Sequence, residues 1–240
     1  MILLPKPQKF QARLTSIEKV SSRVYLEHFE LIEPREITFL PGQTVMLYVA
    51  PGVSPDQIGV NRSMSVASPP VEKNSILLAH DVGPGGVYSQ WALRAKVGDP
   101  MSFMGPLGGF VLDRESPRKK IFVATGTGIA PFRSMILDRP SGDITLYWGL
   151  RHEEDIFWQK ELEEFSSSHP TFMLVLTISQ ATDNWQGKRG HVQDYVFADE
   201  NNLKECDVYL CGNRQMVDDM KTRLQQIGVP PAQIKFELFY

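Results

Sequence analysis

Four short stretches hold residues whose types and spacing could do chemistry. Ile121 to Phe132 reads IFVATGTGIAPF, an apolar strand-like run, two glycines and a helix start in twelve residues. Gly126 and Gly128 let the backbone turn sharply and bring bare N–H groups close to a ligand, and Pro131 suits the first position of a helix whose N-terminus favours an anion. That chemistry is phosphate binding. The stretch lacks a third glycine where Pro131 stands, and the next strand ends on Gly149, Leu150 and Arg151 without the acid of the dinucleotide fingerprint. A tight strand-to-helix turn therefore explains it equally well.

The second stretch, Arg62-Ser63-Met64-Ser65, opens a strand. An arginine can fork onto a pyrophosphate and a hydroxyl can hydrogen-bond a ring nitrogen, so Arg62 and Ser65 could hold the two ends of a flavin. A surface arginine beside a serine turn is the plainer alternative. The third, Gly83-Pro84-Gly85-Gly86-Val87-Tyr88-Ser89, is a glycine-rich turn running into a helical window, a second anion-binding helix start or else a flexible hairpin. The fourth is the only cysteine pair, Cys206 and Cys211. Two thiols are too few for a disulfide framework, a four-thiolate zinc site or an iron–sulfur cluster, so any redox cofactor is organic and no metal is expected.

The elements that must position these residues change character along the chain. Phe10 to Ile17, Val24 to Leu31, Thr44 to Val49, Met64 to Ala67, Ile76 to Ala79 and Met101 to Met104 read as short strands separated by turns, which predicts a closed barrel or a sandwich. One helical window, Val87 to Arg94, interrupts them. From Arg118 onward, strands at Ile121–Ala124, Ile144–Trp148, Met173–Ile178 and Val208–Cys211 alternate with helical windows at Pro131–Leu137, Asp155–Phe165 and Met216–Ile227. That alternation predicts a parallel sheet covered by helices, closed by a last strand from Ile234 to Tyr240. The charged stretch Asp113 to Lys120 is too polar for a core element and marks the boundary.

A chain of 240 residues with net charge −3 fits two medium domains and offers no basic block for nucleic acid. No apolar run approaches the roughly 18 to 20 residues of a membrane span, and the opening MILLPKP is too short for a signal peptide. A cytosolic protein is expected.

The order RSMS, GGVYS, GPLGGF, GTGIAPF, CGN and a final FELFY resembles the ferredoxin-NADP reductase superfamily along nearly the whole chain. The resemblance implies an FAD-binding antiparallel β-barrel at residues 1–114 and an α/β NAD(P)-binding domain with a parallel sheet at 115–240. It makes Arg62 the contact of the flavin phosphate and Ser65 the neighbour of flavin N5. Met64 stands where an aromatic is usual, and its thioether can still pack on a ring. Gly85, Gly86, Val87 and Ser89 match the segment under the FAD pyrophosphate, with Tyr88 beside the flavin nucleotide, which favours FAD over FMN. Thr125, Gly126, Thr127, Gly128 and Pro131 resemble the loop under the nicotinamide nucleotide's pyrophosphate.

Arg151, Ser179, Cys211 and Gly212 are further nucleotide contacts by the same resemblance, and Trp158 stands where an aromatic is expected. Asp155 reads as well as a helix cap, and Cys211 as an ordinary core thiol. Glu237, Leu238 and Phe239 align on the family's terminal acid, spacer and aromatic, with Phe239 covering the flavin; an edge strand burying Phe236, Leu238 and Tyr240 is the alternative. Ser65, Cys211 and Glu237 would orient the reacting rings, which must approach within about 3 to 3.5 Å for hydride transfer.

The activity so implied is an NAD(P)H-dependent flavoprotein reductase passing electrons to a separate acceptor, a ferredoxin or an oxygenase component, or else an NAD(P)H:flavin or quinone reductase with a small-molecule acceptor. Gln180 after Ser179 and the segment NWQGKRG resemble NADH users, although Lys188 and Arg189 could reach a 2′-phosphate. A non-catalytic flavin-binding electron-transfer or regulatory subunit is the rival of another class.

Overall fold

The computed structural model describes residues 3–49, 60–83, 86–138 and 141–239. Contacts divide the described residues into one compact unit of 3–112 with 130–138 and another of 113–129 with 141–239. Gly85 and Tyr240 lie outside the described residues.

In the first unit, six strands form one antiparallel sheet: β1 (Gln8–Lys19), β2 (Val24–Glu33), β3 (Thr44–Val49), β4 (Val60–Ser65), β5 (Ser75–Asp81) and β6 (Pro100–Leu107), in the order β4-β3-β6-β1-β2-β5. The two edges approach closure just past β4, where Val66 bridges Leu78 and the Ala67 N–H donates to the Leu77 carbonyl at 2.8 Å. The open choice between barrel and sandwich thus resolves to a nearly closed barrel. Alternation explains the packing: Phe10, Ala12 and Leu14 of β1 and Phe29 and Leu31 of β2 point inward and are buried. Helix α1 (Val87–Ala92) is two residues shorter than the window Val87 to Arg94, because Leu93 already caps it.

Helix α2 (Ala130–Leu137) clusters by its contacts with this barrel. Arg133 donates to the Ala67 carbonyl at 2.9 Å and the Ser134 hydroxyl to the Ser68 carbonyl at 2.7 Å, while Phe132 meets Phe110 edge-on. Pro131 is the second residue of α2, not the first turn after the strand, since a 3-10 turn over Gly126–Ile129 comes before it.

The second unit is a parallel sheet of β7 (Lys120–Thr125), β8 (Ile144–Leu150), β9 (Phe172–Ile178), β10 (Lys188–Arg189), β11 (Asp207–Asn213) and β12 (Ile234–Phe239), in the order β10-β9-β8-β7-β11-β12. Every residue of β8 is buried, as helices on both faces require. Three expectations need correction. Lys120, assigned to a polar boundary, is buried at the start of β7, and its ammonium is satisfied by the Ser116 and Arg118 carbonyls at 2.6 and 2.9 Å. The helix expected from Asp155 starts only at Gln159 (α3, Gln159–Ser168), because Trp158 takes a left-handed φ of 57° after a short 3-10 turn. Helix α4 (Val192–Asp199) was not foreseen; it buries Val192 and Val196 and rests Tyr195 and Phe197 partly buried on the core. The last helix is α5 (Arg214–Gln226).

A part-buried polar knot fixes the end of the sheet away from the glycine turns. Lys119 donates to both oxygens of Glu200 at 2.8 Å and the Tyr147 hydroxyl donates to the same carboxylate at 3.0 Å, joining β8 and the end of α4 to the approach of β7. No helix among the described residues is long and apolar enough to cross a membrane.

Candidate functional site

The strand order of the second unit reverses beside β7: the chain moves from β7 outward through β8 and β9, then returns to β11 on the other side. Such a switch point opens a crevice at the carboxyl ends of the strands, where open α/β sheets take their ligands. The sequence puts its glycines there. Gly126 adopts φ of 55° and Gly212 φ of 137°, conformations that a side chain resists. A methyl on Gly128 would collide with the Cys211 carbonyl oxygen and sit 2.8 Å from Gly212 Cα, and one on Gly212 would collide with the Thr125 hydroxyl. The two turns are therefore in backbone contact. Thr125 locks them, its hydroxyl accepting the Asn213 N–H at 2.8 Å, while Trp148 donates to the Gly126 carbonyl at 3.0 Å from below. Thr125, Gly126, Thr127, Gly128, Cys211 and Gly212 thus form one cradle of closely packed backbone at the carboxyl ends of β7 and β11.

Cys211 and Glu237 are register partners in the parallel pair β11–β12, so these two expected residues meet. Burial first, and the Glu237 carboxylate second, push the Cys211 thiol well up. It is a neutral, enclosed thiol and not a nucleophile. The native chain is accordingly expected to keep Cys211 unmodified by iodoacetamide at mildly alkaline pH, with modification only on denaturation; intact mass analysis of native and urea-treated protein checks this. Phe239 is half-buried. Phe236, which the edge-strand alternative would bury, is 43% exposed with the Lys221 ammonium 3.7 Å from its ring centre, while Leu238 packs on the core.

At the far side of the same sheet, the loops after β8 and β9 are stapled together. Ser179 and Gln180 donate their backbone N–H groups to the carbonyls of Leu150 and Arg151 at 3.0 and 2.8 Å, and the Arg151 Nε donates to the Gln180 side chain at 3.2 Å. The Glu153 carboxylate accepts from both the backbone N–H and the hydroxyl of Thr182 at 2.8 Å. Arg189 spends its guanidinium on the carbonyls of Ala181, Thr182, Asp183 and Trp185, and Lys188 pairs with Asp199 at 3.0 Å. Of the two cations expected within reach of a phosphate, Arg189 is engaged in holding the loop and Lys188 is paired to the end of α4. Asp155 serves as a cap, its carboxylate accepting from the His152 N–H at 3.2 Å.

In the barrel unit, Arg62 is exposed, Ser65 is buried, and Met64 packs against the barrel core. β4 pairs with β3 without a register shift, so Arg62 and Met64 share one face and Ser63 and Ser65 the other. Gly86 caps α1 in extended backbone, with no side-chain cap, and Val87 lies half-buried against the core. Tyr88 and Ser89 turn inward. The Tyr88 hydroxyl donates to a fully buried Glu27, Glu27 faces His80 at 3.2 Å, and His80 faces the Ser89 hydroxyl at 3.2 Å. This network was missed. Its signal was present, since Glu27 shares the inward phase of Phe29 and Leu31 in β2, and His80 that of Ile76 and Leu78 in β5.

The chain matches the model of the oxidoreductase FAD-binding domain over residues 11–112 and that of the oxidoreductase NAD-binding domain over residues 122–222. It is 32% identical to the anthranilate 1,2-dioxygenase electron transfer component of Acinetobacter baylyi over 239 residues, covering 96% of this chain and 67% of that protein. It is 30% identical to ferredoxin–NADP reductase B of Sorangium cellulosum, covering 97% of this chain and 98% of the relative. Among solved structures, the Amycolatopsis cytochrome P450 reductase GcoB superposes with a TM-score of 0.89 at 25% identity over 100% of this chain and 72% of that one. A ferredoxin NADP+ reductase from Neisseria gonorrhoeae with bound FAD and NADP superposes with a TM-score of 0.83 at 18% identity, over 97% of this chain and 99% of that one.

Proposed function

This chain belongs to the ferredoxin-NADP reductase superfamily, and from that premise we propose that it is a cytosolic flavoprotein reductase that takes hydride from a reduced nicotinamide dinucleotide onto FAD and passes the electrons to a separate oxygenase component or ferredoxin. The observation that carries the reading is the cradle at the switch point, where Gly128 and Gly212 bring two backbone segments into contact beside Cys211. Bound FAD supplies the chemistry of accepting hydride and releasing electrons; the residues of the chain bind, orient and exclude water.

In the barrel unit, Arg62 takes the flavin phosphate, Ser65 the flavin N5 edge, and the Gly85–Ser89 turn the pyrophosphate, with the Tyr88 side chain committed to the core beneath it. In the second unit, the Thr125–Gly128 turn receives the pyrophosphate of the nicotinamide nucleotide, and Arg151 and Ser179 frame its adenosine end. Cys211 and Glu237 stand beside the nicotinamide.

The donor is NADH. A 2′-phosphate needs unspent cations, whereas Arg189 and Lys188 are engaged and Glu153 places a carboxylate on the same loop. Catalytic efficiency with NADH is expected to exceed that with NADPH by roughly tenfold or more, the worth of one unmatched charged contact. Equal efficiencies would remove the argument.

An anaerobic visible spectrum of the purified chain tests the function as a whole. Flavin absorption that bleaches on adding NADH is the expected result. Flavin absorption that neither NADH nor NADPH bleaches would replace the reductase by a non-catalytic subunit.

A further inference from the structure

Past Ser65 the chain leaves β4 and crosses to β5 through Val66, Ala67 and Ser68, each of them 0% exposed. Backbone groups so enclosed need partners within the protein. The N–H groups find theirs in the barrel sheet: Val66 donates to the Gln43 carbonyl at 3.0 Å and Ala67 to the Leu77 carbonyl at 2.8 Å. The Ser68 hydroxyl accepts the Leu77 N–H at 3.1 Å. The carbonyls of Ala67 and Ser68 are taken by α2 instead, the first by the Arg133 guanidinium at 2.9 Å and the second by the Ser134 hydroxyl at 2.7 Å.

These two donors stand on a firmly seated helix. Six of the eight residues of α2 are buried, Phe132 meets Phe110 edge-on, and a Cβ on Gly42 would collide with the Met135 methyl and the Phe110 carbonyl oxygen. An arginine two positions after Pro131 has the alphabet of a phosphate ligand, yet the fold gives its Nη1 to a barrel carbonyl. Removing either donor leaves a fully buried carbonyl without that bond, and the backbone must turn to satisfy it elsewhere. Ser65 immediately precedes the segment and moves with it. A displacement of about 1 Å at a reacting centre costs up to about a hundredfold in rate.

We propose that Arg133 and Ser134 are positioning residues for flavin reduction: from α2 they hold the Ala67 and Ser68 carbonyls and so fix where the end of β4 presents Ser65. The inference rests on the assignment of Ser65 to the flavin edge.

A double-mutant cycle tests it, read as the limiting rate of anaerobic reduction by NADH per bound FAD in the full chain. Arg133→Ala is expected to slow reduction roughly ten- to hundredfold when Ser65 is present, and less than about threefold in a Ser65→Ala background, because residues that act through one another are not additive. Arg133→Lys keeps a donor of similar reach and should return the rate to within about threefold of wild type. Ser134→Ala removes a single oxygen, is expected to behave as Arg133→Ala does, and carries the same cycle where Arg133→Ala fails to fold. A merely structural role would lower the melting temperature and leave the rate per bound FAD unchanged. That result, or an equal loss with and without the Ser65 hydroxyl, overturns the proposal alone. A wild-type chain whose bound FAD is not reduced by NADH overturns the reductase reading and the proposal with it.

Discussion

Gly128→Ala is expected to destabilise the second unit by about 3 kcal/mol, the upper end of what forcing one extra carbon into a packed site costs. The new methyl meets backbone on every close side: the carbonyl of Cys211, whose carbon lies 2.7 Å away, and Gly212 Cα at 2.8 Å. No side chain can swing aside to make room. β11 is hydrogen-bonded to β7 on one side and β12 on the other, so a shift of Cys211 breaks two ladders. Urea denaturation followed by tryptophan fluorescence reads the effect, since the Trp148 indole is bonded to the same turn at Gly126. Gly126→Ala supplies the contrast: nothing lies within 4 Å of its methyl, and only the left-handed φ opposes it. It should cost about 1 to 2 kcal/mol. A Gly128→Ala chain with the wild-type midpoint and wild-type nucleotide affinity would mean that the cradle is not closed as described.

That contrast marks how far the sequence could be read. The pattern GTGIAP announces a turn and a close approach, but not what is approached; Cys211 is brought there by parallel pairing across the switch point, a long-range event that no local spacing encodes. β3 matches its apolar run residue for residue, and β7 and β8 are continuous apolar segments, as strands covered on both faces must be, whereas the strand read from Met64 to Ala67 runs instead from Val60 to Ser65, so that Arg62 to Ser65 close it and do not open it. Helix α3 was misplaced because one residue, Trp158, leaves the right-handed region, and side-chain pattern is blind to that.

Charged residues were the least legible. Arg189 looked free to meet a phosphate because its alphabet is that of phosphate binding, yet its five donors suit loop carbonyls equally well, and the fold supplies those first. Glu27 and His80 sat in plain view at inward positions of β2 and β5. Parity alone said that they were buried; only their arrangement around Tyr88 and Ser89 says what they do there.

Ser65→Ala is expected to slow the reduction of bound FAD by NADH about a hundredfold while changing FAD affinity less than about threefold. Ser65 ends β4 opposite Thr44 and is only 4% exposed, so its hydroxyl is held by a strand and not by a mobile loop. One hydrogen bond among the many a dinucleotide makes contributes little to binding; a preorganised polar group at the reacting atom contributes chiefly in the transition state, where charge and hydrogen-bond demand change together. Anaerobic stopped-flow at the flavin absorption band separates the two, because the limiting rate reports reduction and a separate fluorescence titration reports affinity. Ser63→Ala, on the same face two residues earlier and exposed, should leave both unchanged. Unchanged reduction in Ser65→Ala would remove Ser65 from the reacting centre. An equal loss in rate and affinity would make it a binding residue only, and orientation of the flavin edge would then fall to the face that carries Arg62 and Met64.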